Sequence, residues 1–148
     1  MELVEYNHLY FHGYRVVTFK FNRTCTAFNM SYTYKRGFTP SKITVVVQAY
    51  KFLSNEYRYF PIRFQMNICD IYNKNMAGIG FPKCRNYQSC PVETERFYEI
   101  CNFTPDESKF PPLIPSGRYM LELTGVYVSD EVWKIHMLGE VSRPIVKK

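Results

Sequence analysis

Little in this chain could run a reaction. It has three His, three Asp and one Trp in 148 residues. A catalytic centre needs a nucleophile beside a base, or paired carboxylates, in contexts that position them. No Gly-x-Ser-x-Gly elbow and no His-Glu-x-x-His motif occurs. His8 and His12 stand at i, i+4, a metal-binding spacing on a helix, but they sit among Tyr, Leu and Phe near the chain start. His136 falls on the polar phase of a strand and is expected at the surface. Gly78-Ile79-Gly80 lacks the further glycines of a phosphate loop and follows no parallel-strand unit. The residues therefore predict no enzyme, no bound metal and no cofactor.

Long apolar runs and charge runs are missing too. No stretch approaches the 18 residues of a membrane helix. The opening Met1-Glu2-Leu3-Val4-Glu5-Tyr6 lacks the charged-then-apolar layout of a signal peptide, so secretion would require the signal to have been removed already. The net charge is +6, yet no basic run is longer than Lys35-Arg36 or Lys147-Lys148. Nucleic-acid binders cluster their basic residues on one face or element, so nucleic acid is not an expected partner. A dispersed basic surface fits an extracellular protein, or one drawn to anionic headgroups.

What the chain has in quantity is aromatic residues: thirteen Tyr and twelve Phe. Such side chains suit a half-buried pleated surface, and period-2 alternation recurs along the sequence. Residues 1–13 show no period and read as an irregular lead-in. Val17, Phe19 and Phe21 alternate with polar neighbours, and Phe28, Met30, Tyr32 and Tyr34 share one face. Lys35 to Ser41 is a turn by composition. Ile43, Val45, Val47 and Ala49 mark a third strand, and residues 53–56 can turn the chain. The cleanest alternation is Phe60, Ile62, Phe64, Met66 and Ile68; Pro61 within it demands a strand start or a sheet edge. A short helix fits near Asp70–Lys74, and a strand fits around Phe97–Cys101. Tyr119, Leu121 and Leu123 follow, and then Trp133, Ile135 and Met137. Seven or so strands, without helical periodicity, repeats or a linker, predict one all-β domain over residues 1–148, a two-sheet β-sandwich. The apolar stripes are compatible with a filled core or with the walls of a pocket.

The stretch from Cys69 to Tyr119 holds four of the five cysteines, Cys69, Cys84, Cys90 and Cys101. Amid Pro, Gly and Asn, and with no Cys-x-x-Cys or close Cys–His pair, they read as a disulfide framework rather than a zinc site. Cys25 is left over. Sequons at Asn22, Asn29 and Asn102 agree with an extracellular, glycosylated chain, and the Asn29 phase points outward.

Ile68-Cys69-Asp70-Ile71-Tyr72, Cys84, Ser89-Cys90-Pro91-Val92, Tyr98 and Pro115-Ser116-Gly117-Arg118-Tyr119-Met120-Leu121 together resemble the pattern of the ganglioside-activator protein. They are most similar to insect secreted lipid-recognition (ML-like) relatives, some of them chemosensory. The resemblance spans about residues 60–141. It implies a β-sandwich cup with an apolar cavity between its sheets and disulfide-tied loops at its rim. Phe60, Ile62, Phe64, Met66, Ile68, Tyr119, Leu121, Trp133, Ile135 and Met137 become the wall candidates. The implied function is a non-enzymatic carrier of a fatty-acyl or other hydrophobic ligand, working near a membrane surface or receptor. Relatives that act as co-receptors imply an alternative, a protein-interaction module with an exposed aromatic patch. The resemblance pairs Cys69 with Cys90; pairing Cys84 with Cys101 is the second expectation. A related lysosomal lipid-transfer protein instead implies Cys84–Cys90. The family's link between N-terminal and C-terminal cysteines has no counterpart after Cys101.

Overall fold

A computed structural model describes residues 1–20, 26–74, 90–104 and 114–141. Among these residues eight strands form two antiparallel sheets: β1 (Glu2–Tyr6), β2 (Phe11–Lys20), β3 (Thr26–Tyr34), β4 (Thr44–Leu53), β5 (Glu56–Asn67), β6 (Phe97–Phe103), β7 (Gly117–Tyr127) and β8 (Asp130–Val141). The wide sheet has the order β1-β8-β7-β4-β5, and the narrow sheet the order β2-β3-β6. A single helical turn, α1 (Ile68–Asn73), follows β5. The all-β reading and the two-sheet architecture are as the alternation predicts.

Two expectations fail, both at register shifts. Residues 1–13 are not a lead-in, since β1 pairs with β8 and β2 begins at Phe11. The ladder slips between Leu3 and Glu5, so Leu3 lies opposite Ile135 and Tyr6 opposite Trp133. Two inward residues three apart leave no period to read. The ladder between β2 and β3 also shifts, between Phe11 and Gly13, and then sets Tyr14 against Tyr32 and Val16 against Met30. Val17 and Phe19 consequently take the outer face, half-buried, contrary to the expected phase.

The hairpin between β4 and β5 turns on Ser54 and Asn55, both at positive φ (53° and 66°), the backbone a two-residue turn needs to follow strand twist. β5 is an edge strand, which accommodates Pro61. Pro61 sits where the register shifts between Gln48 and Tyr50. There the buried Gln48 side chain donates Nε2 to the carbonyls of Phe60 (2.9 Å), Ala49 (3.0 Å) and Ile62 (3.3 Å).

Cross-strand partners share a face, so the ladders define the inner layer. From the narrow sheet come Phe28, Met30, Tyr32, Tyr34, Tyr98 and Ile100; from the wide sheet come Val45, Val47, Trp133 and Ile135. At one end the packing is ring on ring: Tyr14 stacks on Tyr32 at 5.1 Å, and Phe11 lies 4.9 Å from Tyr34. Tyr10, Phe38 and Tyr127 close that end with edge contacts of 4.9 and 5.0 Å. Trp133 lies over Gly125, where a β-carbon would stand 2.5 Å from the indole.

Candidate functional site

The disulfide forms as the resemblance implies. Cys69 and Cys90 are bonded, with their α-carbons 5.9 Å apart. Asn67 caps α1 by accepting the Cys69 N–H at 2.8 Å and donates to the Ser41 carbonyl, also at 2.8 Å. The Val92 N–H donates to Ser41 Oγ at 2.8 Å. Together these contacts tie the segment after Cys90 to the start of β4. Cys101 is also disulfide-bonded; its expected partner Cys84 lies outside the described residues, as do Cys25 and the sequon residue Asn22. Asn29 and Asn102 are exposed neighbours, the Asn102 N–H donating to Asn29 Oδ1 at 2.8 Å.

All the wall candidates belong to the wide sheet or to α1, and they divide in two. Ile68, Trp133 and Ile135 are buried in the packed core. Tyr119 is buried as well, its hydroxyl donating to the Pro115 carbonyl at 2.7 Å. Leu121 and Met137 pack against that core but keep part of their surface. Phe60, Ile62, Phe64 and Met66 stand apart from it. Phe64 faces the same side as its ladder partner Val47, yet it is 44% exposed where Val47 is 7%. The cause is a mismatch of layers. Among the described residues five strands face three, so the inward-pointing apolar side chains of the edge strand β5 lie outside the core cluster.

The facing wall, Phe28, Met30, Tyr32 and Tyr34 on β3 with Tyr98 and Ile100 on β6, was absent from the sequence-based set. Its alternation was readable, but alternation does not say which stripes face one another. Burial pushes the Tyr14, Tyr32 and Tyr34 hydroxyls well above the usual phenol range, and the nearby Tyr72 adds to this. Tyr32 and Tyr72 share a hydrogen bond of 2.9 Å. These groups are uncharged throughout the neutral range.

One inward residue at the hairpin end breaks an apolar stripe and so gives no alternation signal. Continuing Val45, Val47 and Ala49 by two brings Lys51 to the inner face, opposite Tyr119. Its ammonium lies 5.8 Å from the Tyr119 ring centroid, and Phe60 meets the same ring edge-on at 5.3 Å. Gly117 stands beside it at φ +153°, where a β-carbon would come within 3.0 Å of Lys51 Cε. The lysine stem passes over bare backbone.

The histidines are engaged elsewhere. His12 contacts both Glu95 oxygens, at 2.7 and 2.9 Å. His136, expected at the surface, is half-buried and contacts Glu122 at 3.0 Å. Partial burial follows from its place on β8, flanked by β1 and β7. Among the described residues no group of His, Cys, Asp and Glu converges as metal ligands would. Among the same residues no helix is long and apolar enough to cross a membrane. The outer face of the wide sheet carries a second apolar area. Phe52 and Tyr57 meet at 5.1 Å, Arg118 sits 5.9 Å over Phe52, and Tyr59 is largely exposed.

A search of curated proteins found no match. A family model does match, over residues 41–121, more than half of the chain and including β4, β5, the disulfide and the start of β7. The chain thus belongs to the DUF1091 family, described as a protein of unknown function (DUF1091).

Proposed function

We propose that this protein is a secreted, non-catalytic carrier that holds a fatty-acyl or similar hydrophobic ligand against the inner face of its wide sheet, along β5. One observation carries the reading: an inward-pointing apolar stripe, Phe60 to Met66, stands outside the packed core with Phe64 44% exposed. Phe60, Ile62 and Met66 beside it are half-buried, and contiguous apolar side chains that keep part of their surface open favour binding over packing. Each methylene buried there contributes about 0.8 kcal/mol before the costs of association, so a long acyl chain has enough to gain. Met66 is an adaptable lining for an irregular guest. The resemblance to lipid-recognition proteins supports the same class. The disulfide and the exposed sequons at Asn29 and Asn102 support an extracellular, glycosylated protein. The test is native mass spectrometry of protein purified from a secreting host, followed by exposure to fatty acids. A bound apolar ligand is expected; a clean apo mass that takes up nothing ends the carrier reading.

A second reading rests on the outer face of the wide sheet, where Tyr57 and Tyr59 are exposed beside Phe52 and Arg118. Exposed aromatics with an arginine are the composition of protein-interaction surfaces. Ile62→Trp, which fills the inner face, should abolish ligand uptake under the carrier reading and leave receptor binding intact under this one.

A further inference from the structure

Lys51 is an unusual cation for this fold. Three lysines of the described residues, Lys35, Lys51 and Lys134, are half-buried. Lys35 donates to the His8 carbonyl at 2.6 Å, and Lys134 pairs with Glu131 at 3.5 Å. Among the described residues, no carboxylate or carbonyl accepts from the Lys51 ammonium, which faces the Tyr119 ring. The neighbouring cation on the same face, Arg58, lies opposite Lys51 in the ladder but is neutralised by Glu56 at 2.7 Å. A partly desolvated ammonium without a counter-ion is costly unless something else supplies one.

Its position says what would supply it. Lys51, Arg58, Phe60, Ile62, Phe64 and Met66 share one face. The apolar stripe therefore begins beside the Lys51 ammonium and runs away from it along β5. Phe60 to Met66 spans about 20 Å at ~3.3 Å per residue, a track for an extended acyl tail. One charge at one end of a long apolar track is the mirror image of a single-chain amphiphile with an anionic head.

Resting on the carrier reading above, we propose that the ligand is a long-chain carboxylic acid, its carboxylate bound by Lys51 Nζ and its tail laid along Phe60, Phe64 and Met66. Gly117 and Tyr119 hold the lysine in place: the bare backbone of one admits the stem, and the ring of the other faces the ammonium. A neutral ester or alcohol of the same length keeps the tail contacts and can still accept from the ammonium, but it forfeits the ion pair between two charged partners.

Displacement of the neutral probe N-phenyl-1-naphthylamine by palmitate, methyl palmitate and hexadecanol tests this on the full chain. Wild-type protein should bind palmitate about tenfold to a hundredfold more tightly than the two neutral compounds, the range of one charge-assisted hydrogen bond. Lys51→Met should erase that preference by weakening palmitate far more than methyl palmitate, and Lys51→Arg should keep it. Equal displacement by all three compounds on wild-type protein overturns the headgroup assignment and leaves the carrier reading standing. A preference that survives in Lys51→Met also overturns it. If no compound binds at all, both proposals fall together. The wild-type comparison decides whether or not the variants fold.

Discussion

The side-chain amide of Gln48 reaches across to the carbonyl of Phe60 at 2.9 Å, bridging the place where Pro61 interrupts the edge strand. It donates to the Ile62 and Ala49 carbonyls as well, so one buried side chain stands in where the ladder loses register. Its own oxygen finds no partner among the described residues. Gln48→Leu should therefore destabilise the fold by about 1–3 kcal/mol, the cost of leaving buried acceptors unmade. Urea unfolding would show this as a lower midpoint with the slope unchanged. No loss would mean the carbonyls are satisfied another way.

Gly125 is irreplaceable for a steric reason. A β-carbon there would lie 2.5 Å from two atoms of the Trp133 ring, and that ring is buried with Tyr14 6.3 Å away. Gly125→Ala should cost about 1–3 kcal/mol through overpacking and should shift the emission of the chain's single tryptophan. Wild-type emission and melting temperature in the variant would contradict the close approach.

The Cys69–Cys90 bridge closes a loop with a sequence separation of 21. Chain-entropy arguments give such a link about 3 kcal/mol of stability. Replacing both cysteines by serine should lower stability by that order in equilibrium denaturation. Because the bridge and the Val92–Ser41 contact hold the segment that begins at Cys90, the variant should also lose protection from proteolysis at residues 90–96.

Acid should weaken the joint between β2 and the segment before β6. Glu95 is held below the usual carboxylate range, chiefly by its hydrogen bond from His12, with the Arg36 N–H helping and desolvation opposing. The folded state therefore favours the ionised form. That contribution is present above the ordinary carboxylate pKa and is lost as pH falls through the depressed folded value. Between about pH 5 and about pH 3 the wild-type melting temperature should drop more steeply than that of Glu95→Gln. Parallel profiles would remove Glu95 from the linkage.

Several features could be read along the chain because they depend only on neighbours in sequence. Phe28 to Tyr34 and Phe60 to Met66 alternate cleanly, and alternation reports a two-faced strand wherever that strand ends up. Pro61, lacking an amide hydrogen, was restricted to a strand start or an edge. The opening strands were not readable in the same way. The slip between Leu3 and Glu5 and the shift between Phe11 and Gly13 are choices of the partner strand, and they invert the phase that Val17 and Phe19 suggest.

Residue order alone was sufficient for an all-β chain with inward stripes and clustered cysteines, since pleating and side-chain polarity act over two or three residues. Which stripe is core and which remains open depended on how many strands each layer received. Five strands against three bury Trp133 and Ile135 and leave Phe64 uncovered, although all three belong to the same kind of alternation. Lys51 gained its place beside Tyr119 in the same way, from a pairing between strands far apart in the chain, where long-range register rather than local pattern sets the neighbour.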